Sequence, residues 1–233
     1  MDTAAAGLHA IGGMVVKSHV LVDGRARATL VDTGLSGGRR RFTRAFERLG
    51  LGPGSVDAIL LTHGHLDHAG NLAWLREWTA APVIAHPAEQ AHIDGTFPYR
   101  GVARVCGVLE ALGRAAFRYR SVPIDRPIAD GDELPFWGGL RVVHLPGHTL
   151  GHCGFWSERH RLLFVGDLVA TWTGLTHLPP AIFNSAPHLL AGSLRKAAEL
   201  RPLRVVPNHY RRLEPERLAA RFLAFSARRA ATA

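Results

Sequence analysis

The segment Thr62-His63-Gly64-His65-Leu66-Asp67-His68 constrains this chain more than any other. It follows directly on Val56 to Thr62, an apolar run centred on Ile59-Leu60-Leu61 that reads as a short buried strand. Three imidazoles and a carboxylate therefore fall within six positions at a strand end. A turn leaving a strand can aim alternate side chains into one cavity, and imidazole with carboxylate is the ligand set of a hydrolytic zinc site. Packing alone does not account for the cluster, because burying a carboxylate with three imidazoles is costly without compensation. A lone histidine is more often a core or surface residue, and nine of the fourteen here, among them His9, His86 and His160, are placed in that class.

Around this segment the pattern alternates between sheet and helix. Strands are expected at Gly13 to Val22 and Arg27 to Asp32, with Asp23-Gly24 as the turn between them. A helix from Arg40 to Leu49 is closed by Gly50, and a second covers Asn71 to Trp78. A strand at Pro82 to Ala85 and a helix near Ala88 to Ile93 come next. Residues 95 to 125 are less regular, with a helical stretch at Val102 to Ala116, and are the place for an insertion over a site. Strands then return at Leu140 to His144, Cys153 to Trp156 and Leu162 to Val165. A helix at Leu189 to Leu200, a strand at Arg204 to Val206 and a helix from Pro215 complete the order. No internal repeat or linker divides the 233 residues, so a single domain, 1–233, is expected. The order suggests an α/β fold of two β-sheets packed face to face with helices outside, a four-layer αββα sandwich.

Composition narrows the function classes. With 47% hydrophobic residues the chain can bury a core without disulfides, and Cys106 and Cys153, the only cysteines, form no CxxC pair and read as buried thiols. No apolar run approaches the roughly 18 to 20 residues of a membrane span. Met1-Asp2-Thr3-Ala4 lacks the features of a signal peptide, so a soluble, cytoplasmic protein is expected. The formal charge is +9, nearly all from arginine, since Lys17 and Lys196 are the only lysines. The clusters Arg39-Arg40-Arg41 and Arg211-Arg212 are not interleaved with aromatics as a nucleic-acid platform is, so they read as solvated faces. A small-molecule substrate is the expected partner, with no membrane or nucleic acid, and a homodimer is allowed for.

With these motifs in place, the sequence resembles the metallo-β-lactamase superfamily over nearly its whole length. The family's His-x-His-x-Asp-His segment matches positions 63 to 68. Its preceding strand-end aspartate matches Asp32 in Leu30-Val31-Asp32-Thr33-Gly34, and its third metal-binding histidine matches His148 in Pro146-Gly147-His148. Its bridging carboxylate matches Asp167 in Val165-Gly166-Asp167, and its last histidine matches His209. The resemblance implies two divalent metal ions, zinc foremost with iron or manganese as alternatives, held between the sheets at one edge. His63, His65 and His148 would bind the first metal and Asp67, His68 and His209 the second, with Asp167 bridging. Asp32 would hold the ligand loop by hydrogen bonds, and His152 reads as a supporting residue rather than a ligand.

The implied chemistry is hydrolysis by a metal-bound hydroxide, with Asp67 and Asp167 as the catalytic carboxylates. The leading substrate class is a small ester, thioester or lactone. A phosphodiesterase of the same fold, a promiscuous β-lactamase and a mononuclear iron persulfide dioxygenase are the alternatives. Asp167 stands where true β-lactamases of the family generally place cysteine or serine, which disfavours β-lactams. Intact Asp67, His68 and Asp167 argue against a non-catalytic scaffold. Tyr99, Trp172, Phe183 and Tyr210 are candidate substrate contacts, in the 95 to 125 segment, the 170 to 187 loop and beside His209.

Overall fold

The computed structural model describes residues 7–13, 15–171 and 173–230. The chain opens with strands β1 (Leu8–Gly12), β2 (Lys17–Val22) and β3 (Ala28–Val31), then helix α1 (Arg39–Arg48) and strand β4 (Val56–Leu60). Helices α2 (Leu66–Ala69) and α3 (Leu72–Thr79) follow, then β5 (Val83–Ala85), α4 (Gln90–Asp94) and α5 (Arg104–Ala116). The second half runs β6 (Arg126–Pro127), β7 (Glu133–Leu134), β8 (Leu140–His144), β9 (Cys153–Ser157) and β10 (Leu162–Gly166). It ends with α6 (Leu190–Glu199), β11 (Arg204–Pro207) and α7 (Pro215–Ala230).

Two mixed sheets result. The first has the order β1-β2-β3-β4-β5-β6, antiparallel as far as β3 and parallel from β3 to β6. The second has the order β11-β10-β9-β8-β7, with only β10 and β11 parallel. Strand alternation decides which residues meet between them. In β4 and the residue after it, Ala58 and Leu60 face the inter-sheet core with Phe155 and Phe164, while Ile59 and Leu61 face outward. Outside the first sheet they meet Phe42 and Phe46 of α1 and Leu72 and Leu75 of α3. Outside the second, Leu163 and Val165 of β10 pack with Leu190 and Leu194 of α6 and Phe222 of α7. These three apolar layers make the αββα sandwich, and Ala58 to Leu61 and Leu162 to Val165 read as unbroken apolar runs because both faces of β4 and β10 are covered there.

Two departures from the sequence reading have simple causes. The first expected strand begins at Lys17 rather than Gly13, and β1 precedes it as its antiparallel partner. β6 and β7 have two residues each, too few to leave a periodic signal. The Asp23-Gly24 turn forms as expected, with Asp23 Oδ1 accepting the N–H groups of Arg25 and Arg27 at 2.8 and 2.9 Å.

The topology fixes where a site can be. The carboxyl ends of β3, β4, β10 and β11 all open at one edge of the sandwich, and the residues that follow them are Asp32, the 61 to 68 segment, Asp167 and Asn208-His209.

Candidate metal centre

The 63 to 68 loop is held from below by one buried carboxylate. Asp32 has φ +59° and no exposure. That left-handed conformation costs an L-residue about 1–2 kcal/mol, and the hydrogen bonds it permits offset the cost. Asp32 Oδ1 accepts the Thr62 N–H at 2.8 Å, and Oδ2 faces Thr62 Oγ1 at 2.7 Å, Asn208 Nδ2 at 2.8 Å and His68 Nδ1 at 3.0 Å. One side chain thus ties together the ends of β3, β4 and β11. Asp167 is set by a second device. Gly166 has φ +51°, and a Cβ there would lie 2.5 Å from His152 Nε2, so only glycine admits the turn that lets the Asp167 N–H donate to that nitrogen at 3.0 Å. Burial pushes the His152 imidazole down to about 3, keeping it neutral and able to accept.

Five imidazoles and two carboxylates converge above these supports. His65 Nδ1 lies 3.0 Å from His148 Nε2, and His68 Nε2 lies 3.4 Å from His209 Nε2. Asp167 sits between the two pairs, its oxygens 3.1 Å from His209, 3.4 Å from His68 and 3.7 Å from His148. Asp67 Oδ2 closes the outer side at 3.4 Å from His209 and 3.7 Å from His68. The donor atoms fall into three overlapping groups, His63 with His65 and His148, His63 with Asp67 and His68, and His68 with Asp167 and His209, each within 4.8 Å. All seven residues are buried except Asp67, which is half-buried.

The outer ring nitrogens decide whether this set fits cations. Nδ1 of His63 faces Thr62 Oγ1 at 3.0 Å, that of His68 faces Asp32, that of His148 faces Asn184 Oδ1 at 3.1 Å, and that of His209 faces the Val15 carbonyl at 2.8 Å. The Asn184 amide is oriented by donating to the carbonyls of Pro179 and Pro180, so its oxygen is the atom turned to His148. Tautomers assigned from these partners put the proton on Nδ1 in all four rings and leave bare Nε2 lone pairs pointing inward. Among the described residues His63 Nε2, which is buried, has no hydrogen-bond partner. Inward lone pairs a few ångströms apart, with the other nitrogen anchored, are the arrangement of metal-binding histidines. The electrostatics agree. Burial opposes charge on His209, yet Asp167 holds it up to about 10, and His209 and His68 in turn hold Asp167 well below the carboxylate range against its own burial. Divalent cations would meet this demand for positive charge while leaving the imidazoles neutral.

A cavity of about 310 Å³ opens over the cluster. Helix α5, from the segment expected to lie over a site, supplies Cys106, Leu109, Glu110 and Gly113 to its wall. Gly113 lets α5 approach α2, since a Cβ there would lie 2.6 Å from Leu66 Cδ2, and Glu110 accepts the Leu66 N–H at 2.9 Å. Of the candidate substrate contacts, Phe183 lines this cavity. Tyr99 does not; it lies behind His92, bonded to its Nδ1 at 3.1 Å, and lines a neighbouring depression. Tyr210 points away as well, 3% exposed and stacked on His19, with its hydroxyl 3.4 Å from His19 Nε2. Trp172 lies outside the described residues. Cys106 and Cys153 are free buried thiols, and Cys106 Sγ lies 4.0 Å from His65 Nε2.

Sequence reasoning missed several supporting residues. Glu89 is wholly buried, and its carboxylate accepts the Gly64 N–H at 2.7 Å and the Gly151 N–H at 2.8 Å, joining the loop of His63 and His65 to the loop of His148. Burial pushes this carboxyl up to about 7. Asn184 and Asn208 were also unmarked. The signal for Asn208 was its place beside His209, whereas for Glu89 and Asn184 only tertiary structure supplies one.

Comparison with known proteins agrees with this geometry. Residues 12–209 match the family model described as "Metallo-beta-lactamase superfamily". The chain is 35% identical over 158 residues to the "Probable metallo-hydrolase YybB" of Bacillus subtilis, covering 66% of this chain and 63% of that protein. It is 31% identical over 150 residues to a hydroxyacylglutathione hydrolase of Bdellovibrio bacteriovorus, covering 63% of this chain and 45% of that protein, so the match spans less than half of that relative. Among solved structures, TTHA1623 in a di-iron-bound form superposes with a TM-score of 0.67 at 27% identity, covering 94% of this chain and 98% of that one. No helix among the described residues is long and apolar enough to cross a membrane. On the family match, the sandwich and the histidine and aspartate cluster at its edge, this chain belongs to the metallo-beta-lactamase superfamily.

Proposed function

We propose that the chain is a metal-dependent hydrolase that holds two divalent cations, zinc foremost, and cleaves a small ester, thioester or lactone. The observation that carries the reading is the set of inward-facing nitrogens, with His63 Nε2 buried and, among the described residues, unpartnered at its centre. In this reading His63, His65 and His148 would hold one cation and Asp67, His68 and His209 the other, with Asp167 beside both groups as a shared carboxylate. A bound cation pair supplies a water of lowered pKa and a Lewis acid for the group under attack. The chain's own residues do the rest. Asp32, Thr62, Asn184 and the Val15 carbonyl fix ring tautomers and orientations, so the donor atoms need no reorganisation on binding. Asp67, the one member of the cluster with appreciable exposure, is placed to orient the attacking water and to take its proton. The apolar residues of α5 along the cavity, Leu109 among them, give an acyl group an apolar surface to lie on.

The name of the hydroxyacylglutathione hydrolase relatives supports a thioester among the candidate substrates, and the di-iron form of TTHA1623 supports iron as the alternative metal. Elemental analysis of the purified protein, joined to a panel of chromogenic ester, lactone, thioester, β-lactam and phosphodiester substrates, tests the reading. Two equivalents of metal and carboxylic-ester or thioester turnover are expected. One iron per chain with oxygen consumption on a persulfide, or turnover of bis(4-nitrophenyl) phosphate alone, would overturn it.

A further inference from the structure

We propose that the cavity over this centre selects neutral substrates with an apolar acyl chain and rejects those whose distal end is anionic, an inference that rests on the hydrolase reading above. The chain carries 28 lysines and arginines, yet among the described residues none lines the cavity. The cation of α5 nearest to it in sequence, Arg114, is already engaged. Its guanidinium donates to the carbonyls of His92 and Ile93 at 2.6 and 2.9 Å and to Glu110 at 2.9 Å. The one charged side chain that the wall adds away from the ligand cluster among the described residues, Glu110, is itself acidic and accepts from Arg114 and the Leu66 N–H, so it gives an anionic substrate no counter-ion.

Away from the ligand cluster the wall is built from Leu35, Leu109, Phe117, Pro179, Pro180 and Phe183. A carboxylate lodged against this wall gives up hydration and finds no counter-ion, whereas a methylene chain is stabilised by leaving water. Leu109 and Phe117 are 50% and 49% exposed, so the apolar surface continues from the cavity to its mouth. A conjugate of glutathione, which carries carboxylates on its leaving group, meets the same wall.

The test uses the metal-loaded full chain and a matched, non-hydrolysed pair, N-octylacetamide and 8-acetamidooctane-1-sulfonate, whose sulfonate is a weak metal ligand, titrated by calorimetry. The neutral amide is expected to bind at least about tenfold more tightly. In turnover, 4-nitrophenyl esters should gain about fourfold in kcat/KM per added methylene until the cavity is filled, and S-lactoylglutathione should be the poorer substrate. Phe117→Arg, or Leu109→Arg should the first variant fold badly, places a cation at the mouth and should erase the discrimination. Equal or tighter binding of the sulfonate by the unaltered protein overturns the inference. Discrimination between the amides without turnover of any ester supports the inference about the cavity while overturning the hydrolase reading.

Discussion

Asp32 shows how much of a metal centre is held by residues that never touch the metal. Its two oxygens serve four groups on three segments, including His68 and the backbone at the start of the ligand loop. Asparagine has nearly the same shape and tolerates a positive φ, but it offers one acceptor where the carboxylate has two. Asp32→Asn is therefore expected to keep the fold and lower metal affinity about 10- to 100-fold, read by competition with a chromogenic chelator. Glu89 obeys the same logic from the other side of the site, since each of its oxygens accepts a different loop N–H. Glu89→Gln leaves one of those donors facing an amide N–H. The expected result is a loss of about 1–3 kcal/mol in denaturant unfolding together with weaker metal binding. Unchanged metal affinity in both variants would mean that the ligand loops keep their shape without these clamps.

At the level of elements, short strands ending at a common edge matter more than helices. β3, β4, β10 and β11 each end where a functional residue begins, and the glycine at the end of β10 permits the turn that aims Asp167. The outer helices supply stability from a distance. Phe222 of α7 is fully buried against the outer face of the second sheet, in a different apolar layer from the inter-sheet core. Phe222→Ala is expected to cost about 3–5 kcal/mol of unfolding free energy while the purified protein retains its metal content, measured by denaturation and elemental analysis on the same preparation. Loss of metal at full stability would reverse that separation. Helices α2 and α5 differ from the outer ones, since α2 carries Asp67 and His68, while Cys106 is the only buried residue of α5 and its other wall residues face the cavity.

For the molecule as a whole, the site is also a joint. Ligands come from both sheets, with the 63 to 68 loop following a strand of the first and His148, Asp167 and His209 following strands of the second. Cations bound there cross-link the two halves of the sandwich. Free metal at about 1,000 times its dissociation constant stabilises the native state by about 4 kcal/mol, which for a domain of this size is on the order of 10 °C in Tm. Prolonged chelation should therefore lower Tm by an amount of that order, reversed by adding back zinc and followed by scanning calorimetry. A Tm indifferent to chelation and re-addition would show that the cluster does not bind metal between the sheets.

Of all this, the amino-acid sequence alone carried the fold class, most of the element order apart from β1, β6 and β7, and the 63 to 68 segment, because strand runs, turn residues and a dense histidine and aspartate motif are local patterns, while His148, Asp167 and His209 were marked by the resemblance to the family. It also singled out Asp32 and Phe183, and it marked the 95 to 125 segment as the place for an insertion over a site, where residues of α5 line the cavity. Tertiary structure decided what depends on residues far apart in the chain. That Glu89 bridges Gly64 and Gly151, that Asn184 sets the His148 ring, and that Tyr99 and Tyr210 turn away from the cavity are all consequences of packing. The physical reason is that a hydrogen bond or a cavity wall is specified by a meeting of two segments, and neither segment carries a local signature of its partner.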